Sequence, residues 1–333
     1  MVQKLTPLKN GLLFTIRTIF WLGLWLFGAG VLLTYLLHWG FGDQLLPVRL
    51  FNYLTPWLLV PLIPALIAAL SARHRWLATI LAIPTLAIVL SYAPLFLPRP
   101  SVALADGDTF TVMSYNVWRR NKDPEAIAEL IRQQQPDILL LQELRADQVK
   151  PLFKTLNNLY PDAELHFTYD RSSLQAVASR YPLTPLAMMP QKGRAQKVLL
   201  ETPNGPITVI NIHPKFPGWQ RRYTQMSALL SEDIIPTDSP VILGGDFNNT
   251  DQTDAYQLVN QFLQNAHWEA GWGFGFTYPS PELRIRRKYN FPKLVRIDHI
   301  FYSNNFFAHS AGTLTESGGS DHLPVVAELS WVK

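Results

Sequence analysis

The chain has 333 residues, of which 48% are hydrophobic and 16% charged, and its formal net charge is +4. Residues 1–100 carry seven of the 29 Lys and Arg side chains but one of the 25 Asp and Glu side chains, which leaves 22 basic and 24 acidic groups in residues 101–333. This balance excludes a strongly basic nucleic-acid-binding domain in the second region. The absence of cysteine excludes a disulfide framework, a thiol nucleophile and a zinc–thiolate site.

The first hundred residues contain three long apolar segments. They cover residues 18–37, 54–70 and 76–97, and none of them carries a Lys, Arg, Asp or Glu side chain. About 20 helical residues cross the hydrocarbon core of a bilayer, so residues 1–100 are predicted to form a membrane region with three transmembrane helices. The first segment is too long for the apolar part of a signal peptide, and two further apolar segments follow it.

Basic side chains in the short loops predict the orientation of this region. Three of them precede the first span and two lie between the second and third spans, whereas the opposite side carries Arg99 and Arg49, the latter close to Asp43. The side richer in Lys and Arg is expected to face the cytoplasm. The protein is therefore predicted to be a multi-pass protein of the cell (inner) membrane, with the chain after about residue 100 outside the cytoplasm.

Residues 101–108 are predicted to be a linker, and residues 109–333 a mixed α/β domain. Apolar or β-branched segments predict strands over residues 109–117, 138–141, 174–179, 197–201, 207–212, 241–243, 297–303 and 325–329. Amphipathic segments predict helices that start at Asp123-Pro124 and at Arg222, and Asn204-Gly205 predicts a hairpin turn. Strands that alternate with helices, together with hairpins, indicate a layered α/β domain.

Polar residues cluster at the ends of most predicted strands. The clusters are Ser114–Asn116, Gln142-Glu143, Asn211–His213, Gly244–Asn248, Arg296–His299 and Gly318–His322. Their carboxylates and amides form a set of hard oxygen ligands that suits Mg²⁺ or Mn²⁺, and two histidines can transfer protons near neutral pH. Without a cysteine or a G-x-S-x-G motif, this composition predicts metal-assisted hydrolysis, with a phosphoester as the expected substrate.

Each cluster also has a purely structural explanation. Asn116 alone fits a turn at a strand end, Glu143 fits a helix N-cap, and His213 fits a buried histidine with satisfied hydrogen bonds. The Gly pair of the fourth cluster lets the backbone approach a ligand closely, which favours function. The six clusters follow one another along a single domain, and this combination favours the functional interpretation.

The six clusters contain motifs in a fixed order along the chain. These are Ser-Tyr-Asn116, Gln-Glu143, Asn-x-His213, Gly-Asp246-Phe-Asn248, Asp298-His and Ser-Asp321-His322. Together they resemble the endonuclease/exonuclease/phosphatase superfamily. The resemblance extends from about Phe110 to Leu329. It implies a four-layer α/β sandwich, in which two packed mixed β-sheets are flanked by helices. It also implies a divalent-metal-dependent phosphohydrolase.

The same resemblance implies roles for individual side chains. The implied ligands of Mg²⁺ (or Mn²⁺) are Glu143, Asn116 and Asp321. The implied catalytic residues are Asp246, Asn248, His213, Asp298 and His322. Asp246 would orient or deprotonate the attacking water, and Asn248 would bind the phosphoryl oxygens. His213 would donate to the phosphate or the leaving oxygen, whereas Asp298 would fix the tautomer of His322, which would transfer a proton or bind phosphate.

The sequence defines substrate recognition less sharply. Tyr169 and Arg171 either contact phosphate or lie in a solvated loop. A dense basic cluster lies between residues 281 and 298. It is either a solvated surface or a binding site for a polyanion or an anionic membrane. It contains Arg284, Arg286, Arg287, Lys288, Lys293 and Arg296. Three aromatic residues, Phe216, Trp219 and Trp272, either form an exposed rim beside the site or pack in the core.

Three hypotheses about function stay open. The first is a phosphodiesterase or nuclease that acts outside the cytoplasm. The second is a phospholipid or sphingomyelin head-group phosphodiesterase, and the third is a catalytically inactive membrane protein that binds an anionic ligand. The expected partners are a phosphoester substrate, either nucleic acid or phospholipid, and the lipid bilayer. No obligate protein partner is predicted.

Overall fold

The structure is a computed structural model. It describes residues 5–98, 109–157, 164–187, 195–214, 218–281, 284–285, 289–290 and 292–332. The chain divides into two compact units, Met1–Pro94 and Leu95–Lys333. Each unit has its own buried core.

The first unit consists of helices. They are α1 (Leu5–Phe41), α2 (Leu46–Leu54), α3 (Leu59–Ser71) and α4 (Arg75–Tyr92). Three stretches are long and apolar enough to cross a membrane, namely Gly11–Gln44, Leu46–Ser71 and Arg75–Phe96. The second stretch starts earlier than predicted, because a 3-10 turn over Thr55–Leu58 joins α2 to α3. Many large apolar side chains of this unit are exposed, which suggests insertion in a membrane.

The second unit contains fourteen named strands and five helices among its described residues. The strands are β1 (Thr109–Asn116), β2 (Ile138–Gln142), β3 (His166–Asp170), β4 (Gln175–Ser179), β5 (Leu183–Leu186), β6 (Ala195–Thr202), β7 (Gly205–Ile212), β8 (Val241–Asp246), β9 (Gln264–Asn265), β10 (Arg284–Ile285), β11 (Tyr289–Asn290), β12 (Asp298–Tyr302), β13 (Phe306–Thr313) and β14 (Val325–Trp331). The helices are α5 (Pro124–Gln134), α6 (Ala146–Asn157), α7 (Trp219–Leu229), α8 (Asp254–Asn260) and α9 (Ala266–Ala270).

Twelve of the strands form two mixed sheets of six. The first sheet has the order β13-β14-β1-β2-β4-β3, and the second has the order β5-β6-β7-β8-β12-β9. The pairs β1/β2 and β7/β8 are parallel, whereas β12 runs antiparallel to β8 and β14 antiparallel to β1. The strands β10 and β11 pair with each other outside both sheets.

Three buried clusters define the layers. Apolar side chains from both sheets, such as Val112 and Val209, share the central cluster. The outer face of the first sheet packs on α5 and α6, and the outer face of the second packs on α7 and α8. The order is therefore helix, sheet, sheet, helix, which confirms the predicted four-layer α/β sandwich.

The predicted start of helix α5 agrees with the structure, whereas the predicted end of strand β8 does not. The side chain of Asp123 accepts a hydrogen bond from the Ala126 N–H and caps α5, and Gln135 ends this helix in the left-handed conformation. Strand β8 continues three residues past the predicted end at Leu243 and reaches Asp246. The prediction stopped short because glycine weakens a strand signal, but pairing on both sides with β7 and β12 keeps this segment extended.

Gly245 is expected to be intolerant of any side chain. Its φ is +145°, and a Cβ atom there would lie 2.0 Å from the Ile212 carbonyl oxygen. Gly245→Ala should therefore lower the free energy of unfolding by about 3 kcal/mol or more, as urea denaturation would measure. Gly312→Ala is the matched control, since no atom lies within 4 Å of its added Cβ. Equal denaturation midpoints for the two variants would contradict this expectation.

Candidate functional site

The predicted site residues meet at one end of the sandwich, between the two sheets. Asn116 ends β1 beside Gln142 of β2, and Asp246 ends β8 opposite Asp298, the first residue of β12. The Asn116 amide nitrogen donates a hydrogen bond of 3.0 Å to the Asp246 carboxylate and so links the two sheets. The carboxyl ends of both parallel strand pairs are thus at the same edge, where functional side chains are expected in α/β folds.

Asp298 and His322 form a buried acid–imidazole pair. His322 Nδ1 lies 2.9 Å from Asp298 Oδ2, and both side chains are almost completely buried. Burial opposes a charge on the imidazole, but the carboxylates of Asp298, Asp246 and Asp321 outweigh it and raise the pKa of His322 to about 10. The pair therefore presents a positively charged Nε2 edge, which lies 3.8 Å from Asp246 Oδ2.

Asp246 is the most connected carboxylate of the site. Its Oδ1 accepts a hydrogen bond of 2.9 Å from the Asn248 N–H, and its Oδ2 lies 3.5 Å from His213 Nε2. Asn248 has a positive φ of 51°, a conformation that asparagine tolerates, and its carbonyl accepts a hydrogen bond from the Arg222 guanidinium. The turn that follows β8 is thus held from two sides.

Glu143 lies in the turn that follows β2. Its φ is +58°, its Oε2 accepts a hydrogen bond of 3.0 Å from the Arg119 N–H, and its Oε1 lies 3.8 Å from His213 Nε2. Burial raises the pKa of Asp321 to about 6. The positive charge of His322 opposes this shift, and the nearby Glu143 carboxylate adds to it. The Glu143 carboxylate therefore disfavours the charge on Asp321.

The donor set fits a hard divalent cation. Asp321 Oδ1 is buried and has no hydrogen-bond partner among the described residues, so it is available as a ligand. Together with Glu143 and the Asn116 amide oxygen it forms the kind of oxygen set that Mg²⁺ or Mn²⁺ prefers. Ligand atoms of a second group, Asp246, Asp298 and His322, lie within 4.8 Å of one another. In that group His322 Nδ1 lies 2.9 Å from Asp298 Oδ2, and its Nε2 lies 3.8 Å from Asp246 Oδ2.

The profile of the Endonuclease/Exonuclease/phosphatase family matches residues 113–322. The chain belongs to this family. The match includes every motif from Asn116 to His322 and confirms the resemblance drawn from the sequence. It makes the second unit a phosphoester hydrolase of the endonuclease/exonuclease/phosphatase type with a buried cluster of aspartate and histidine side chains.

Several solved structures share this family fold. An endonuclease/exonuclease/phosphatase family protein from Bacteroides thetaiotaomicron is 20% identical, with a TM-score of 0.54 over 68% of this chain and 96% of the other. A mannosyl-6-phosphatase from Bacteroides thetaiotaomicron VPI-5482 is 20% identical, with a TM-score of 0.52 over 67% of this chain and 100% of the other. D. rerio TDP2 in complex with a single strand DNA product is 15% identical, with a TM-score of 0.52 over 67% and 99%. No curated protein matches the chain significantly.

Some residues predicted to bind substrate lie elsewhere or outside the described residues. Tyr169 is half-buried and donates a hydrogen bond of 3.0 Å to the Leu144 carbonyl, so it supports the Glu143 turn, whereas Arg171 is exposed. Arg286, Arg287 and Lys288 lie outside the described residues. Phe216 and the side chain of Trp219 do so as well, whereas Trp272 is exposed.

Arg296 does not belong to an exposed basic surface. It is 4% exposed, its Nη2 lies 3.3 Å from Asp251 Oδ2, and its guanidinium is 5.9 Å from the centre of the Trp268 ring. Inclusion of Arg296 in the solvated or ligand-binding basic cluster was therefore wrong, because a buried carboxylate and an aromatic ring compensate its charge.

Three residues to which the sequence assigned no role, namely Tyr278, Gln142 and Asn211, support the site. The Tyr278 ring lies 4.8 Å from the His322 ring, and burial, together with the charges of Asp321 and Asp246, raises the pKa of Tyr278. Gln142 Nε2 donates a hydrogen bond of 2.8 Å to Asn211 Oδ1 and so joins the sheets directly behind the site. A polar residue within the apolar strand of residues 207–212 was the sequence signal for Asn211, whereas no pattern pointed to Tyr278.

Proposed function

We propose that the protein is a membrane-anchored, divalent-metal-dependent phosphodiesterase whose catalytic domain acts outside the cytoplasm. The observation that carries this proposal is the convergence of four carboxylates (Glu143, Asp246, Asp298 and Asp321) and two histidines at one edge of the sandwich, with Asp246 between His213 and His322. Such a set provides a cation site beside groups that can move protons, as phosphoester hydrolysis requires.

In this proposal the metal is held by Glu143, Asp321 and Asn116. A bound divalent ion supplies neutralisation of the charge that develops on the phosphoryl oxygens. Asp321 contributes an oxygen with no partner among the described residues, which supports its assignment.

The other side chains divide the remaining tasks. Asp246 accepts hydrogen bonds from Asn116 and Asn248, and its carboxylate is placed to orient an attacking water molecule or take its proton. Asn248 would donate to the phosphoryl oxygens. His213, whose Nε2 faces the carboxylates, would donate to the phosphate or the leaving oxygen.

Asp298 orients the His322 ring through the 2.9 Å contact to Nδ1. The charged Nε2 edge would then stabilise the phosphate or donate a proton to it.

The layout of the chain completes the proposal. Three spans, over residues 18–37, 54–70 and 76–97, anchor the protein, residues 101–108 connect them to the catalytic domain, and residues 109–333 form this domain. The excess of Lys and Arg before the first span and between the last two places those loops in the cytoplasm. The active site would therefore face the opposite side of the cell membrane.

Two substrate classes have specific support. The basic cluster that includes Arg286, Arg287 and Lys288 favours a polynucleotide, and the similar fold of D. rerio TDP2 is solved with a single strand DNA product. The membrane anchor favours a phospholipid or sphingomyelin head group instead, and so does the exposed Trp272 on the loop that leads to Tyr278.

Removal of the metal should abolish activity with every substrate. We expect EDTA to stop cleavage by the purified protein and Mg²⁺ or Mn²⁺ to restore it, because the metal carries most of the charge stabilisation. The assay compares plasmid DNA, RNA, phospholipid vesicles and a chromogenic phosphodiester under identical conditions. Cleavage that persists in EDTA would refute the metal-dependent proposal, and the substrate that is turned over distinguishes the nuclease from the lipid phosphodiesterase.

A further inference from the structure

The loop that precedes Tyr278 exposes aromatic side chains on the surface of the second unit. Its sequence, residues 271–276, is Gly-Trp-Gly-Phe-Gly-Phe. Trp272 is 66% exposed, more than any other large apolar side chain described in this unit, and Leu97 is 58% exposed. A side chain of this size packs in the core or marks a contact surface, and Trp272 is not in the core.

The loop holds Trp272 outwards in a fixed conformation. His267 Nε2 lies 2.9 Å from the Gly273 carbonyl oxygen, and Thr313 Oγ1 donates a hydrogen bond of 3.0 Å to the Gly275 carbonyl oxygen. Gly275 has a φ of +59°, and a Cβ atom there would meet the His267 ring at 2.4 Å. The exposure of Trp272 is therefore built into the backbone of the loop.

Two residues at the beginning of the same unit pack against this loop. The Gly273 N–H donates a hydrogen bond of 2.8 Å to the Leu95 carbonyl oxygen. The Phe96 ring lies 6.1 Å from the Trp272 ring and 5.1 Å from the Phe274 ring. Phe96, Leu97 and Trp272, which we call the aromatic edge, thus form one surface.

Phe96 also ends the third candidate membrane span, Arg75–Phe96, which has 22 residues. At 1.5 Å per residue this stretch is about 33 Å long, close to the thickness of about 30 Å of a hydrocarbon core. With Arg75 at one surface of the bilayer, the span ends at Phe96 near the other surface, and within the second unit the Trp272 ring packs against Phe96. Tryptophan is enriched at this depth because its ring is apolar and its N–H is polar.

We propose that the aromatic edge is a membrane-contact surface of the catalytic unit, with the Trp272 indole in the head-group region of the bilayer. The inference rests on the membrane insertion proposed above but not on the hydrolase activity. Thr277 and Tyr278 follow the loop directly, and Thr277 Oγ1 accepts a hydrogen bond of 3.4 Å from the Asp298 N–H. This hydrogen bond connects the end of the loop to the Asp298–His322 pair.

The test measures the depth of a spin label at residue 272. The chain contains no cysteine, so Trp272→Cys in the full-length protein gives a single labelling site. Leu97→Cys is the control for the end of the span, and Ile235→Cys, at a side chain that is 55% exposed, is the control for an exposed apolar position. Each protein is reconstituted in vesicles of phosphatidylethanolamine and phosphatidylglycerol, and collisions of the label with oxygen and with a water-soluble nickel chelate are measured.

We expect labels at residues 272 and 97 to collide with the nickel chelate several-fold less often than the label at residue 235, and with oxygen more often. A label at 272 as accessible to the chelate as the one at 235 would overturn the proposal, whatever the result at 97. Because no substrate is used, the outcome is independent of the proposed reaction. If the EDTA assay refuted the proposed hydrolase activity, the spin-label result would still decide whether Trp272 contacts the membrane.

Discussion

His322→Ala is expected to lower kcat for a phosphodiester by about 10²–10⁴-fold, the range typical for loss of a proton-transfer group. The imidazole is buried, fixed by Asp298 at 2.9 Å and surrounded by carboxylates that raise its pKa to about 10. Its Nε2 edge lies 3.8 Å from the Asp246 carboxylate. The measurement is steady-state kinetics at saturating Mg²⁺, so that a change in metal affinity does not enter.

The matched control for this variant is His309→Ala. His309 lies on β13, where its Nε2 is 2.8 Å from Ser330 Oγ, and it belongs to none of the motifs. We expect its removal to leave kcat nearly unchanged. The fold of His322→Ala should survive, because burial raises the pKa of Asp298 and lets this carboxyl take up a proton when its partner is lost. A folded His322→Ala protein with full activity would remove His322 from the reaction.

Glu143→Gln is expected to weaken metal binding and to lower kcat/KM at fixed Mg²⁺ by about 100-fold or more, since several kcal/mol of charge stabilisation depend on the ion. The substitution keeps the size of the side chain and an oxygen that can accept from the Arg119 N–H, but it removes the negative charge. Titration calorimetry with Mn²⁺ measures the affinity directly, without any need for substrate.

Glu201→Gln provides the control for a general effect of charge, because Glu201 is exposed on β6. This variant should bind Mn²⁺ as tightly as the unaltered protein. If Glu143→Gln lost activity while its Mn²⁺ affinity stayed the same, Glu143 would have a role in the reaction but not in metal binding. Unchanged affinity and unchanged activity would reject both roles.

The sequence, through its resemblance to the family, was sufficient to predict the four-layer fold, and it located the polar clusters at the ends of strands. Glu143 and Asp246 follow short apolar strands, and in parallel pairs such ends are at one edge of a sheet. This regularity, together with the order of the motifs, led to the correct family. Helix α5 was predictable for a local reason, the N-cap Asp123 followed by proline.

Edge elements were not predictable in the same way. Strands β3 and β5 lie at the edges of their sheets and are only partly buried, so their sequences show no strong alternation of apolar and polar residues. The short strand β9 has two residues and is defined by its pairing with β12 alone. Contacts of this kind depend on the tertiary fold.

The contacts that join the two sheets were also inaccessible to sequence reasoning. The hydrogen bond between Asn116 and Asp246 spans 130 residues of chain, and the one between Gln142 and Asn211 spans 69. For Arg296 the sequence predicted an exposed side chain, because a basic residue in a basic run is usually exposed. The side chain is instead buried and pairs with Asp251, 45 residues away in the chain. Only the packed structure reveals such partners.

The strand order has a consequence for the time at which the enzyme becomes active. Strand β14 lies between β13 and β1 in the first sheet, and the loop just before it carries Asp321 and His322. During synthesis β1 therefore lacks its antiparallel partner β14, which emerges from the ribosome about two hundred residues later. Until that strand inserts, the Asp321 carboxylate and the His322 imidazole are missing from the site. The growing chain would thus lack a complete site until β14 has been made, and catalysis would begin only when the first sheet is closed.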